Sequence, residues 1–144
     1  MENEIFKALI DIISIFNRPD RDKKMIASAG VNMEEAAFRV FVGIAHLQPT
    51  SVGYLADMIG KNYSSVSRQI NKLESAGLIQ SYPSDEDSRI RLSKLTKQGE
   101  EINGMISSTR HRFIQEALTD WTQEEKIELI HNLKRLADAL NKFD

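Results

Sequence analysis

The sequence predicts a mainly α-helical fold with a small β-wing, and three observations carry that expectation. Apolar residues recur at helical spacing through most of the 144 positions. Between Thr50 and Gly99, two short helical patterns flank a tight turn at Gly60. Two strand-like runs joined by the turn-rich segment Pro83–Ser88 come next, so a hairpin is appended to a helix-turn-helix.

With 41% hydrophobic and 28% charged residues over 144 positions, the chain has the balance of a globular protein with one core of ordinary size. It contains no cysteine, which excludes disulfides, thiolate zinc sites and thiol redox sensing. Near the N-terminus Glu4, Lys7 and Asp11 interrupt the apolar run, so neither a signal peptide nor a membrane span is expected, and the expected location is cytoplasmic. The formal net charge is −2, but it is unevenly spread. Segment 61–97 holds seven basic residues against four acidic ones, a local balance of +3 that leaves −5 elsewhere. A basic centre in an acidic body suits a protein with one face turned to phosphate.

From Glu4 to Phe16 the polar residues Glu4, Lys7, Asp11 and Ser14 form a narrow stripe on an otherwise apolar helix, the pattern of a helix covered on most sides. Pro19 breaks it. Helix resumes to about Ser28, and Gly30 ends it as a left-handed cap. Asn32 with Glu35 reads as a capping box for a third helix burying Ala36, Val40, Ile44 and Leu47, which Pro49 stops. Thr50 is the expected N-cap of the next helix, with Val52, Leu55, Ala56 and Ile59 inward and Gly60 at its end. Asn62 caps the helix after it, whose Val66, Ile70 and Leu73 share a face, and Gly77 stops it. Leu78–Tyr82 and Arg89–Leu95 read as strands, the second with Ile90 and Leu92 on one face. Thr96 caps a helix to about Leu118, with Ile102, Met105, Ile106, Phe113 and Leu118 inward. Thr122 with Glu125 forms a capping box for the last helix, along which Ile127, Ile130, Leu133, Ala137 and Leu140 make a stripe broadened by Leu129 and Leu136.

At about 100° per residue, the face opposite Val66, Ile70 and Leu73 holds Ser64, Arg68, Asn71 and Ser75, with Ser67 and Lys72 flanking. Small hydroxyls permit close approach to a groove, Arg68 and Asn71 have the geometry for bidentate base contacts, and Lys72 suits phosphate. The hairpin tip carries Asp85, Glu86 and Asp87 immediately before Arg89, and Asp87 is spaced to hold that guanidinium in one orientation.

The run DSRIRLSKLTKQG resembles the wing signature of the MarR family of winged helix-turn-helix transcriptional regulators, with Asp87, Arg89, Leu95, Thr96 and Gly99 at the matching offsets. LADMIG, SSVSRQINKLE and GLI agree upstream, so the resemblance spans about fifty residues. It implies that residues 32–99 form a winged helix-turn-helix DNA-binding lobe, and that 1–31 and 100–144 form a helical dimerisation region, together one intertwined domain. It further implies a homodimer acting, as a repressor, on a pseudo-palindromic double-stranded DNA operator. The DNA-contacting residues would be Lys61, Asn62, Ser64, Ser65, Ser67, Arg68, Asn71 and Lys72 from the recognition helix and its approach, and Arg89 and Arg91 from the wing, with Asp87 orienting Arg89. The family's effectors, often phenolic or otherwise lipophilic, occupy a cleft between dimerisation helices and lobe, and Phe38, Phe41, His46 and Tyr54 are the aromatic and polar candidates to line one here. Three departures stand out. Ser81 replaces a usual arginine and Tyr82 a commonly basic residue, which weakens the expected phosphate grip at the wing base, and Ser93 replaces an aliphatic residue, a milder difference that should loosen the second strand.

No Gly-rich phosphate loop or nucleophile elbow is present, and His46, His111 and His131 form no His-x-x-x-His pair, so no enzyme activity, metal or cofactor is expected. Two other functions stay open: a winged-helix module used for protein contacts, and a constitutive DNA binder without an effector.

Overall fold

The computed structural model describes residues 1–143. They fall into two units, Met1–Thr109 and the remainder from Arg110. The first unit runs α1 (Glu2–Phe16), α2 (Pro19–Ala29), α3 (Glu35–Leu47), β1 (Thr50–Ser51), α4 (Val52–Ile59), α5 (Tyr63–Ser75), β2 (Ile79–Pro83), β3 (Arg91–Leu95) and the greater part of α6 (Lys97–Ala117). The second holds the end of α6 and α7 (Gln123–Asn141). This is a mainly helical chain with a three-stranded antiparallel sheet of order β1-β3-β2.

The central element is α3, which packs against α2, α4, α5 and β3. Being covered on several sides, it buries Ala37, Phe38, Val40, Phe41 and Ile44. A single inward stripe through Ala36 and Leu47 does not describe it: Ala36 is exposed and Leu47 only half-buried. Its start also differs from the expected Asn32 box. The N-cap is Glu34 without a side-chain hydrogen bond, because Val31 and Met33 turn into the core and keep 31–34 extended. Glu35 is occupied instead by Lys23, 3.3 Å away.

Thr50 does not cap α4. It is buried in β1 opposite Ser93, and Ser51 accepts the Tyr54 N–H at 3.2 Å in its place. This third strand changes the hairpin's environment. The inward residues of β3 are Ser93 and Leu95, whereas Leu92 is half-buried and Ile90, still in the turn, is exposed. The second strand is correspondingly two residues shorter on the tip side than expected, whereas the first runs one residue further, to Pro83. Ser93 lies opposite Ser81 in register, and the two hydroxyls meet at 2.9 Å, so these two departures from the family pattern are partners.

The Leu-Thr-x-x-Gly run ties the wing to the helix that precedes it. The Thr96 hydroxyl donates to the Gly77 carbonyl at 2.6 Å and accepts the Gly99 N–H at 3.0 Å, capping α6. The Thr96 N–H donates to the Leu78 carbonyl at 3.0 Å. Gly99 is buried, and a Cβ there would overlap the Leu78 carbonyl oxygen. On α6, Ile106 is buried as expected, but Met105 is exposed and Thr109, which was not expected inside, is buried with its hydroxyl on the Met105 carbonyl.

No residue of α1 or α7 is buried. Ile5, Phe6, Ile12, Ile13 and Phe16 on the first, and Ile127, Ile130, Leu133 and Leu140 on the last, are each about half exposed or more. The Thr122–Glu125 capping box that starts α7 is present in both directions. No helix among the described residues is long and apolar enough to cross a membrane.

Gly99→Ala is expected to lower the unfolding free energy by about 3 kcal/mol, since the clash is with backbone that cannot rotate away. Urea denaturation would read this. Ser81→Ala and Ser93→Ala should each cost about 1 kcal/mol, and the double variant less than their sum, since each single change strands the other hydroxyl. Additive losses in the same assay would contradict the pairing.

Candidate nucleic-acid interface

Two elements build the surface around the basic segment. Helix α5 starts where Asn62 Oδ1 accepts the Ser65 N–H at 2.8 Å, and it enters from α4 through Gly60, whose φ of 68° favours glycine. Val66, Ile70 and Leu73 are buried against the core. That orientation leaves Ser64, Arg68, Asn71 and Lys72 exposed and Ser65 and Ser67 half-buried at the flanks. Lys61 and Asn62 are exposed just ahead of the helix. Lys72 is not wholly free, since Glu34 lies 3.9 Å from its ammonium.

The second element is the wing tip. Arg89 Nε and Nη2 donate to the two carboxylate oxygens of Asp87 at 3.1 and 3.0 Å, and the Arg89 N–H adds a third bond to Oδ1 at 3.1 Å. The Ile90 N–H closes the turn on the Asp87 carbonyl at 2.9 Å. The Arg89 side chain is 89% exposed, so it is oriented without being hidden. Its guanidinium holds the Asp87 carboxyl below the ordinary value of 3.8, helped by the backbone bond, and the carboxylate in turn raises Arg89. Further down the hairpin, Arg91 donates to the Ser81 carbonyl at 3.0 Å and the Lys94 ammonium sits 5.4 Å from the centre of the Tyr82 ring.

A groove of about 420 Å³ runs between α5 and the wing. Of the residues expected to meet DNA, it brings together Ser67, Asn71, Arg89 and Arg91. Tyr63, Glu74 and the start of α4 at Ser51–Gly53 also line it, which spacing on one helix did not reveal. A cleft of about 610 Å³ lies elsewhere in the same unit, walled by Val40, Ile59 and Val66 and carrying Arg39, Lys61 and Gln69. Gln69 is buried, and its Oε1 has no partner among the described residues. The four aromatic and polar candidates for an effector pocket are not gathered around either space: Phe38 and Phe41 are core residues, and His46 and Tyr54 are exposed. No group of three or more His, Asp or Glu that could hold a metal occurs among the described residues.

A family model described as the MarR family matches residues 33–90, which includes the whole of α3 to α5 and the wing tip. Over that stretch the chain carries a MarR family domain. It is 27% identical over 121 residues to the uncharacterised HTH-type transcriptional regulator YdgJ of Bacillus subtilis (strain 168), covering 84% of this chain and 73% of that one. A MarR family protein from Bacillus stearothermophilus superposes with a TM-score of 0.76 at 17% identity, over 96% and 94% of the two chains. The transcriptional regulator BldR from Sulfolobus solfataricus gives 0.69 at 22% identity, over 95% and 96%. Those two likenesses establish the winged helix fold. The matched stretch thus carries the winged helix-turn-helix domain of MarR family DNA-binding transcriptional regulators.

Because the folded carboxyl of Asp87 is lowered, the clamp's contribution is present above the ordinary value and is lost only as pH falls through the lowered one. An NMR titration should therefore place the Asp87 midpoint below 3.8, and Arg89→Ala should return it towards that value. A midpoint unmoved by Arg89→Ala would contradict the clamp.

Proposed function

We propose that the protein acts as a homodimer on a pseudo-palindromic DNA operator and represses transcription there. In each subunit α5 enters a major groove, with Arg68 and Asn71 at base edges and Lys61, Asn62, Ser64, Ser65, Ser67 and Lys72 supporting close approach and phosphate contact. Arg89, oriented by Asp87, enters the adjacent minor groove, and Arg91 lies along the wing behind it. The observation that carries this reading is an exposed α5 face with Ser64, Arg68 and Asn71, on which Glu74 is the one acid lining the groove, set across that groove from a clamped but exposed arginine.

The dimer reading rests on α1 and α7. Helices that bury no residue yet expose isoleucine, leucine and phenylalanine are poorly explained as free surface. We assign residues 1–31 and 100–144 to dimerisation and 32–99 to the DNA-binding lobe. Two-fold symmetry would then set the α5 helices roughly 34 Å apart, one turn of duplex.

Relief by a small lipophilic or phenolic effector belongs to the same proposal. The cleft of about 610 Å³ supports it by size and by its apolar walls, with Lys61 as the cation for an acidic ligand, Arg39 being engaged by Asp22 and Glu35 also lining the space. Such a ligand lowers operator affinity only by its preference for a dimer spaced differently from the DNA-bound one.

Binding to duplex DNA should be saturable and should weaken steeply with salt, because phosphate neutralisation releases counterions. Arg89→Ala should reduce affinity by about tenfold or more while sedimentation still shows a dimer. Unchanged affinity would remove Arg89 from the interface, and salt-insensitive or absent binding would favour a module for protein contacts.

A further inference from the structure

Between α1 and α2 the chain turns in two residues. Asn17 ends α1 in a helical conformation, and Arg18 is already extended, with φ −75° and ψ 124°. Pro19 opens α2 at a position where a missing N–H costs nothing. No residue of α1 is buried, so packing against its own lobe holds its direction weakly. Its last turn also carries no basic residue to complement the helix dipole or to satisfy its terminal carbonyls.

Arg39, on α3, supplies what is missing. Its Nη2 donates to the Asn17 carbonyl at 2.8 Å and its Nη1 to Asn17 Oδ1 at 3.5 Å, at the end of α1. Its Nε donates to Asp22 Oδ2 at 2.7 Å, in the first turn of α2. One planar guanidinium therefore grips both sides of a two-residue elbow. The pair is well shielded, with the side chains 27% and 15% exposed, which strengthens charge-assisted bonds. A lysine has the charge but not the fork needed for all three contacts. Helix α3 is also the helix on which α5 packs, so the same residue sits one layer from the DNA-reading face.

We propose that Arg39 is the positioning residue that fixes the angle at which α1 leaves the DNA-binding lobe. In the dimer it thereby fixes the spacing of the two α5 helices; this second step rests on the homodimer reading above. Loosening the elbow leaves each lobe folded but lets it swing on its arm, so operator binding has to order a broader ensemble.

The absence of cysteine permits a direct measurement. Lys7→Cys on α1 and Asp57→Cys on α4, both exposed, carry spin labels in one chain, diluted with unlabelled protein so that the intrachain arm-to-lobe distance is read. Introducing Arg39→Gln or Asp22→Asn should widen that distance distribution by about twofold, with the melting temperature moving by no more than about 5 °C. Arg39→Lys should fall between. In the unlabelled protein, the same substitutions should weaken binding about fivefold or more to a duplex selected from a random pool by the unsubstituted protein. An unchanged distribution in both variants overturns the proposal. A widened distribution with unchanged DNA affinity overturns the link to operator spacing. If Arg39→Gln does not fold, Asp22→Asn, which keeps the shape of the side chain, decides alone. A unsubstituted protein labelled only at Asp57→Cys that gives no interchain distance would refute the dimer reading instead, and the intrachain result would stand apart from it.

Discussion

The burial of Val66, Ile70 and Leu73 of α5 against the α3 layer is the constraint on which the DNA-reading surface depends. A helix with three large apolar residues on one face cannot rotate without exposing them, and each is worth about 1.5–3 kcal/mol of transfer free energy. Fixing that rotation fixes Ser64, Arg68 and Asn71 outward. Phe41 and Ile44, both without solvent exposure, belong to the same core as these three residues, so the direction of the outer face is set from inside the core. Polar residues on an unpacked helix would offer the same chemistry in every direction and therefore select nothing.

The wing depends on a different kind of constraint. Its base is locked by the Thr96 and Gly99 bonds to Gly77 and Leu78, so the hairpin begins where α5 ends and cannot drift from it. Its middle is held by the Ser81–Ser93 pair, where a half-buried and a buried hydroxyl satisfy one another beside the groove, with Thr50 buried on the other side of Ser93. An arginine at position 81 would leave the Ser93 hydroxyl without that partner, and an aliphatic residue at 93 would strand the serine opposite it. The two substitutions make sense together, and each alone looks like a defect. Arg91 reaches back to the Ser81 carbonyl, so some of the positive charge missing at 81 returns from the opposite strand.

The parts of this architecture visible in the sequence are those whose partners lie a few residues away. The Asn62 cap, the Gly60 and Gly77 turns, the Thr122–Glu125 box and the Asp87–Arg89 clamp are local contacts with residue types suited to them, and spacing alone exposes them. What escaped depends on partners far along the chain. Thr50 looks like a cap until Ser93, forty-odd positions on, makes it a strand residue. Asn32 looks like the start of α3 until the burial of Val31 and Met33 stretches the segment beside it. Arg39 has no local signature at all, because its partners Asn17 and Asp22 sit across a break between two helices. Periodicity also counts only one apolar stripe per helix, so it undercounted α3, which is covered on several sides.

Net charge is a poor guide to this protein for the same reason. The formal value of −2 is dominated by carboxylates outside segment 61–97, and within it Asp87 is already engaged. Asp87 is consumed by Arg89 through a bidentate pair in which the arginine is the more exposed partner. Glu34 lies beside Lys72 but is itself largely exposed, so a phosphate can displace it at little cost in shielding. Glu74 is the remaining acid on the groove wall, one helical turn beyond Asn71. In the proposed DNA complex a carboxylate there would repel phosphate but accept from a cytosine amino group, restricting which sequences fit rather than adding affinity. With that acid on the groove wall, the proposed complex would depend on the orientation of each lobe as well as on its charge.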